Sequence, residues 1–152
     1  MGETELDVII PVYRPDERFF RLLAQLACQS IPPHRIILMN TERAYWDAAG
    51  AEGRLETLGI SERCEIHHLS KAEFDHGGTR NTGVLFSETP YFVMMTQDAV
   101  PCDDKLLERL LFPLVNGKAE MSYGRQVASP DADILEKFTR RYNYGDQSFL
   151  KT

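Results

Sequence analysis

Apolar residues in this chain are concentrated in short runs, and segments with helical periodicity lie between them. Buried strands are predicted for the runs LDVIIPVY (Leu6–Tyr13), RIILM (35–39), CEIHHL (Cys64–Leu69) and YFVMMT (91–96), the last being the most apolar. Runs of about four to eight apolar and β-branched residues are typical of strands inside a sheet. A fifth strand is predicted at residues 119–123.

Helical signals fill the segments between these strands. Asp16 is an N-cap candidate, and the apolar residues after it recur at helical spacing: Phe19, Leu22, Leu23 and Leu26. The segment Ile31-Pro32-Pro33 ends that helix. Further helices are predicted at residues 44–49, 52–58, 79–87 and 131–141, and after Asp103-Asp104, where Leu106, Leu107, Leu110 and Leu111 form a buried stripe.

Strands alternate with helices throughout, which predicts crossover connections and a largely parallel sheet covered on both faces. Ligands of such sheets bind outside the carboxyl ends of the strands. Four polar segments fall at that one edge: residues 11–14, Asn40-Thr41, Leu69-Ser70 and Gln97-Asp98. A binding site is therefore expected where these segments converge.

Composition narrows the class of protein. The 152 residues, 43% of them hydrophobic, fit one domain with a core, and a net charge of -6 with a pI near 5.2 argues against a general nucleic-acid binder. The three cysteines are scattered, which disfavours a disulfide scaffold or a thiolate zinc site and makes a reducing cytosol the default. No apolar run approaches the ~18 residues of a transmembrane helix.

The segment FDHGGTRNTG (74–83) places two glycines, Arg80 and Asn81 at a predicted helix start. A helix N-terminus attracts phosphate through its free N–H groups and dipole, and a guanidinium matches phosphate oxygens. The alternative is a glycine turn that leads into a helix with a solvated Arg80. Neither a Walker loop nor a dinucleotide fingerprint is present.

Asp98 follows the most apolar run directly. A carboxylate at the mouth of a sheet suits Mg²⁺ or Mn²⁺, which bridge to substrate phosphates, but an aspartate that caps a turn after a strand is an equally good interpretation. His67 and His68 are neighbours on a strand, so their side chains point to opposite faces and cannot bind one ion together. These two histidines and His34 are interpreted as packing residues. Arg125 follows the predicted fifth strand and is expected near the same edge.

Four motifs in order carry a family resemblance: DVIIPVYRP, FDHGGTRNTG, TQDAVP and YGRQVASPDA. The chain resembles the N-terminal, nucleotide-sugar-binding half of bacterial inverting glycosyltransferases of the GT-A fold, within the rhamnosyltransferase-like group. The resemblance implies an α/β/α sandwich with a largely parallel central sheet. It also implies that residues 1–152 form a single nucleotide-sugar-binding domain, truncated before the acceptor-binding half.

The resemblance also implies roles for individual residues. The nucleobase and ribose would be bordered by Pro11, Val12, Tyr13 and Arg14, and the nucleotide pocket would be lined by His76, Gly77, Gly78, Arg80 and Asn81. Gln97 would contact the ribose or sugar, and Asp98 would hold a divalent metal, Mg²⁺ or Mn²⁺. In two places the chain departs from the family: Asn40 replaces a base-contacting aspartate, and Thr96 replaces the first acid of the metal motif.

The implied function is a metal-dependent glycosyltransferase of the hexosyltransferase type, in polysaccharide biosynthesis. It would transfer a sugar, with rhamnose as one candidate, from a dTDP- or UDP-sugar to a glycan or lipid-linked acceptor with inversion. The catalytic base would come from residues downstream, so no residue of this chain is assigned that role. The expected location is cytoplasmic, either free or peripheral at the inner face of the membrane.

Two alternatives are kept. The first is a non-catalytic nucleotide- or sugar-binding module of the same fold, which Thr96, Asn40 and the missing base favour. The second is a nucleotidyltransferase, which would need a glycine-rich, lysine-bearing loop after the first strand, where the chain has PVYRPDE.

Overall fold

The computed structural model describes residues 4–151. The chain divides into two compact units, the first ending at Glu108 and the second beginning at Arg109. The first unit contains every strand found among the described residues. No helix within residues 4–151 has the length and apolar character needed to cross a bilayer.

The sheet is parallel and has four strands in the order β3-β2-β1-β4. The strands are β1 (Leu6–Tyr13), β2 (Ile36–Thr41), β3 (Cys64–Leu69) and β4 (Tyr91–Met94). Val8 of β1 illustrates the register: it lies opposite Ile36 of β2 on one side and Val93 of β4 on the other. The predicted α/β class and parallel sheet are confirmed.

Six α-helices are found among the described residues, together with a short 3-10 helix at Ser61–Arg63. They are α1 (Glu17–Ala27), α2 (Arg43–Ala48), α3 (Ala51–Thr57), α4 (His76–Phe86), α5 (Leu106–Val115) and α6 (Ile134–Asn143). Asp16 caps α1 as predicted, since its carboxylate accepts the backbone N–H groups of Arg18 and Phe19 at 3.1 Å each.

The core lies on both faces of β1 and β2. On one face Ile9, Ile37 and Met39 pack with Val84 and Phe86 of α4. On the other face Trp46 of α2 contacts Phe19 of α1, with ring centroids 6.1 Å apart. The two central strands are therefore covered on both sides, which explains why they read as continuous apolar runs.

The three histidines interpreted as packing residues do have structural contacts. His67 stacks on Phe86 at 4.0 Å, whereas His68 meets the edge of Trp46 on the other face at 6.0 Å. His34 lies 3.3 Å from Asp7. The prediction that His67 and His68 point to opposite faces is confirmed.

One strand prediction was wrong and another was only partly right. Residues 119–123 form no strand, and the exposed fractions of Met121 and Tyr123 are 81% and 66%. Without a neighbouring strand to pair with, their β propensity has no effect on the backbone. The strand predicted at 91–96 is present but ends at Met94, and it is not buried, since it lies at the edge of the sheet and exposes Phe92 and Met94.

Helix boundaries also differ from the predictions. α4 begins at His76, three residues before the predicted start, and therefore includes the glycine pair. α6 begins at Ile134 after Asp133, whose side chain caps it. In the stripe predicted for α5, Leu107 and Leu111 are buried but Leu106 and Leu110 are only partly buried.

Candidate functional site

The carboxyl ends of β1 and β4 are joined by one side chain. The backbone N–H of Tyr13 donates to Oε1 of Gln97 at 2.7 Å, and Nε2 of Gln97 donates to the carbonyl of Tyr13 at 3.0 Å. Two segments that the sequence placed at the same edge, residues 11–14 and Gln97-Asp98, are therefore in direct contact.

Arg14 turns the chain sharply after β1. Its φ of 52° lies in the left-handed region, which is uncommon for a residue other than glycine. Its guanidinium donates to the Tyr45 hydroxyl at 2.7 Å and lies 4.5 Å from the centre of the Tyr45 ring. The strained backbone is a feature that recurs at functional sites.

Tyr45 is a candidate site residue that the sequence did not reveal. Its ring meets that of Tyr13 edge-on with centroids 5.5 Å apart, and the hydrogen bond from Arg14 lowers the pKa of its hydroxyl. Tyr45 lies in a polar, alanine-rich segment, and nothing in that segment indicates its contact with a residue 31 positions earlier. Tyr13, Arg14 and Tyr45 thus form one aromatic and cationic surface.

Other predicted residues of this edge are inside the protein. Asn40 is fully buried, and its amide nitrogen lies 3.0 Å from Nδ1 of His68. Burial is the first cause that lowers the pKa of His68, which favours a neutral ring that can accept this bond. Val12 is buried opposite Asn40, and Pro11 is partly buried.

Two buried oxygens at the end of β2 are unusual. Oδ1 of Asn40 and Oγ1 of Thr41 have no hydrogen-bond partner in the part of the chain that the structure describes. Unsatisfied buried polar atoms are rare in proteins and require an explanation, such as a ligand or water. Their position beside the strand ends agrees with a polar pocket at this edge.

The start of α4 differs from the phosphate cradle predicted for it. The carboxylate of Asp75 caps the helix by accepting the N–H of Gly78, and the Asp75 N–H donates to Oγ1 of Thr79 at 3.2 Å. A carboxylate already complements the positive end of the helix dipole, so a phosphate here would meet a negative charge. The N–H groups and dipole at this helix start are therefore less available to a phosphate than the sequence predicted.

The remaining predicted residues of α4 lie on its first turns. His76, Gly77, Gly78 and Asn81 are exposed. Arg80 is partly buried and donates to the carbonyl of His76 at 2.8 Å. A cleft of about 200 Å³ adjoins this turn and is lined by Met39, Leu69, Glu73, Gly78, Thr79 and Thr82.

Gly83 has a structural role that the sequence analysis did not assign. A Cβ at this position would lie 2.6 Å from Cγ2 of Ile9, closer than side chains allow. The glycine therefore lets α4 approach β1. The sequence did contain a signal for this role: a glycine inside a predicted helix often has a packing reason.

Asp98 lies on the turn after β4 and its side chain is exposed. The turn is held by backbone bonds from Ala99 to Thr96 and from Val100 to Asp98, each 3.1 Å. Within residues 4–151, no three His, Cys, Asp or Glu side chains are grouped as a metal site. A single carboxylate still fits Mg²⁺ or Mn²⁺, since such ions are often bound by one or two carboxylates plus substrate phosphates.

Two further features of the described residues were compared with the predictions. A larger groove of about 340 Å³ runs between α1 and α3, where Arg54 pairs with Glu17, and it contains none of the predicted site residues. Arg125 is exposed in the second unit and follows no strand, so the premise for placing it at the edge is lost.

Comparison with known protein sequences finds two relatives that are both named as O-antigen chain rhamnosyltransferases. No family model matches the chain. The chain is 24% identical over 149 residues to the O-antigen chain rhamnosyltransferase RfbN of Salmonella typhimurium, which covers 97% of this chain and 45% of the relative. It is 35% identical over 85 residues to the O-antigen chain rhamnosyltransferase WbaN of Salmonella anatum, or 55% of this chain and 27% of the relative. The chain thus spans less than half the length of either relative.

Solved structures agree on the fold. S. aureus TarS 1-349 superposes with a TM-score of 0.57 at 17% identity, covering 82% of this chain and 38% of that one. TarS 1-349 in complex with UDP-GlcNAc superposes with a TM-score of 0.53, covering 74% and 31%. The chain therefore has the GT-A glycosyltransferase fold and a rhamnosyltransferase-like sequence, as its motifs predicted.

Proposed function

We propose that this chain is the donor-binding portion of a glycosyltransferase that transfers a sugar from a dTDP- or UDP-sugar to a glycan or lipid-linked acceptor with inversion. The observation that carries the proposal is the joined edge of β1 and β4, which presents Tyr13, Arg14 and Asp98 together. Relatives named as O-antigen rhamnosyltransferases make rhamnose the first sugar to test, and the TarS complex with UDP-GlcNAc supports a nucleotide-sugar donor.

The Tyr13–Arg14–Tyr45 surface suits the nucleotide end of such a donor. Tyr13 is 37% exposed, so part of its ring is available to stack on a base. The guanidinium of Arg14 lies 5.2 Å from the Tyr13 ring centre and adds a positive charge beside it. A planar base and an anionic diphosphate are the two chemical features that this surface would complement.

Asp98 is the residue that would hold a divalent metal against the diphosphate. Such an ion stabilises the negative charge that develops on the leaving diphosphate. The chain's own contribution is to place the carboxylate on a short turn fixed to β1 through Gln97. The donor would then be oriented by its base at one end and its diphosphate at the other.

The general base is proposed to lie outside this chain. Two acidic residues of the second unit have structural roles instead: Asp133 caps α6, and Glu136 lies 3.8 Å from Arg140. The chain alone would therefore bind donor but transfer little sugar. The whole protein is proposed to act in the cytoplasm, with peripheral association at the inner face of the membrane.

Calorimetry tests the donor and metal assignments. The 152-residue chain is titrated with UDP, dTDP and their sugars, with and without Mn²⁺. We expect binding of at least one nucleotide that Mn²⁺ strengthens, and we expect Asp98→Asn to remove the Mn²⁺ effect while metal-free binding persists. Glu56→Gln, which changes an exposed carboxylate on α3, is the matched control. Absence of heat with every nucleotide would refute donor binding, and an unchanged Mn²⁺ effect in Asp98→Asn would refute the metal assignment.

A non-catalytic nucleotide- or sugar-binding module is the second candidate. Its support is that Asp75 caps α4, so the start of this helix offers a donor fewer free N–H groups than the resemblance implied. The complete open reading frame distinguishes the two, because an enzyme requires an acidic base and an acceptor region that this candidate does not need.

A further inference from the structure

Gln97 uses both ends of its side-chain amide on the backbone of a residue 84 positions away. Its oxygen accepts the Tyr13 N–H at 2.7 Å, and its nitrogen donates to the Tyr13 carbonyl at 3.0 Å. This is the pair of bonds that a neighbouring strand would supply. The side chain therefore takes the place of a strand residue.

The need for this substitute follows from the register. The ladder between β1 and β4 ends at the pair Ile9–Met94, and the last backbone bond runs from Met95 N–H to the Ile9 carbonyl at 3.0 Å. β1 continues to Tyr13 beside β2, whereas the segment that follows β4 turns away at residues 96–99. Gln97 bridges the gap that opens between them.

We propose that Gln97 is a positioning residue, which fixes the Tyr13–Arg14 corner relative to Asp98 and does not itself contact the donor. This inference rests on the proposed donor-binding function, and it revises the expectation that Gln97 contacts the ribose or sugar. Its oxygen and one N–H are already bonded to protein. Through this tie, a shift of the metal-binding turn would move the base-binding corner.

A substitution that changes only the amide nitrogen separates positioning from general loop stability. In Gln97→Glu the ionised carboxylate can still accept the Tyr13 N–H, but it opposes the Tyr13 carbonyl because it has no donor. Gln97→Glu therefore keeps the N–H end of the tie and loses the carbonyl end.

The experiment uses the full 152-residue chain, with amide exchange measured by NMR and UDP or dTDP affinity measured with Mn²⁺. In Gln97→Ala we expect Tyr13 amide exchange to become about tenfold faster and the nucleotide Kd to rise about tenfold, the size that two net hydrogen bonds carry. Gln97→Glu, compared by exchange alone in the absence of Mn²⁺, should speed Tyr13 exchange less than Gln97→Ala does, because the bond to the Tyr13 N–H remains. Gln147→Glu makes the same change at an exposed amide and should alter neither quantity.

The outcomes are distinguishable. Unchanged Tyr13 exchange in Gln97→Ala overturns the tie, and faster exchange with unchanged affinity overturns the positioning role. Tyr13 exchange in Gln97→Glu that is no slower than in Gln97→Ala also overturns it, because general loop damage would give that result. A wild type that binds no nucleotide refutes the proposed function itself, whereas a binding wild type with unaffected variants refutes the role of Gln97 alone.

Discussion

Asp7 is a fully buried carboxylate at the amino end of β1, opposite the candidate site. Five polar contacts converge on it: Arg35 N–H at 3.0 Å, Arg35 Nη2 at 3.2 Å, Ser87 Oγ at 2.9 Å, Glu88 N–H at 3.3 Å and His34 Nδ1 at 3.3 Å. Burial acts to raise the pKa of Asp7, but the bonds from Ser87, Arg35 and Glu88 outweigh it and lower the pKa. The cluster joins β1 to β2 and to the turn before β4.

Asp7→Ala should therefore cost a substantial part of the stability. Removing one partner of a buried ion pair costs about 3–5 kcal/mol. Arg35 keeps Glu65 at 2.8 Å and the Phe86 carbonyl at 2.8 Å, so its charge is not left uncompensated. We expect about 3 kcal/mol, near the lower end, which is a large share of the roughly 5–15 kcal/mol typical of a domain.

Urea unfolding followed by circular dichroism measures this loss at neutral pH and again in acid. A carboxyl whose folded pKa is lowered stabilises the protein above its unfolded pKa, and this contribution is lost as the pH falls through the folded pKa. The difference between wild type and Asp7→Ala should thus be constant near neutral pH and shrink below about pH 4. Asp47→Ala, which removes an exposed partner of Arg43, is the control and should cost no more than about 0.5 kcal/mol. A loss below about 1 kcal/mol for Asp7→Ala, or one that persists in acid, would refute the reasoning.

Two further predictions concern packing and reactivity. Gly83→Ala should destabilise the chain by about 1–3 kcal/mol because its Cβ would lie 2.6 Å from Ile9, whereas Gly53→Ala, with nothing within 4 Å, should cost nothing in the same urea experiment. Burial and the charge of Glu52 raise the pKa of Cys64 to about 12, so a thiol reagent at about pH 8 should modify exposed Cys28 and Cys102 but spare Cys64 until urea is added. Equal stability of the two glycine variants, or equal rates at all three thiols, would contradict these expectations.

Local sequence was sufficient where burial alone determines structure. The bounds of β1 and β3 were predicted to the residue, and Asp16 was identified as the cap of α1. Residues 119–123 have strand composition, but a strand exists only with a pairing partner, and local composition does not supply one. The glycines at the start of α4 disfavour a helix locally, and the Asp75 cap overrides that preference.

The sheet edge that carries the candidate site could be predicted from the sequence, but the side-chain contacts within it could not. Parallel strands bring their carboxyl ends to one edge, so the meeting of residues 11–14 with Gln97-Asp98 followed from the fold class. Contacts between distant residues, such as Arg14 with Tyr45, depend on side-chain directions that no local pattern encodes. The hydrogen-bond partner of Asn40, His68, likewise comes from a different strand.

The two motifs that first indicated the site differ in what they present to a ligand. At the start of α4, the absence of a side chain at Gly78 lets the Asp75 carboxylate reach the helix N-terminus, since a Cβ there would lie 3.0 Å from Oδ2. The start of α4 therefore carries a carboxylate beside its first backbone N–H groups. At the corner of β1 and β4, the amide of Gln97 is bonded to protein, which leaves the charges of Arg14 and Asp98 on the exposed surface. If the chain binds a nucleotide diphosphate together with a divalent cation at Asp98, electrostatics favours this corner for the phosphates over the start of α4.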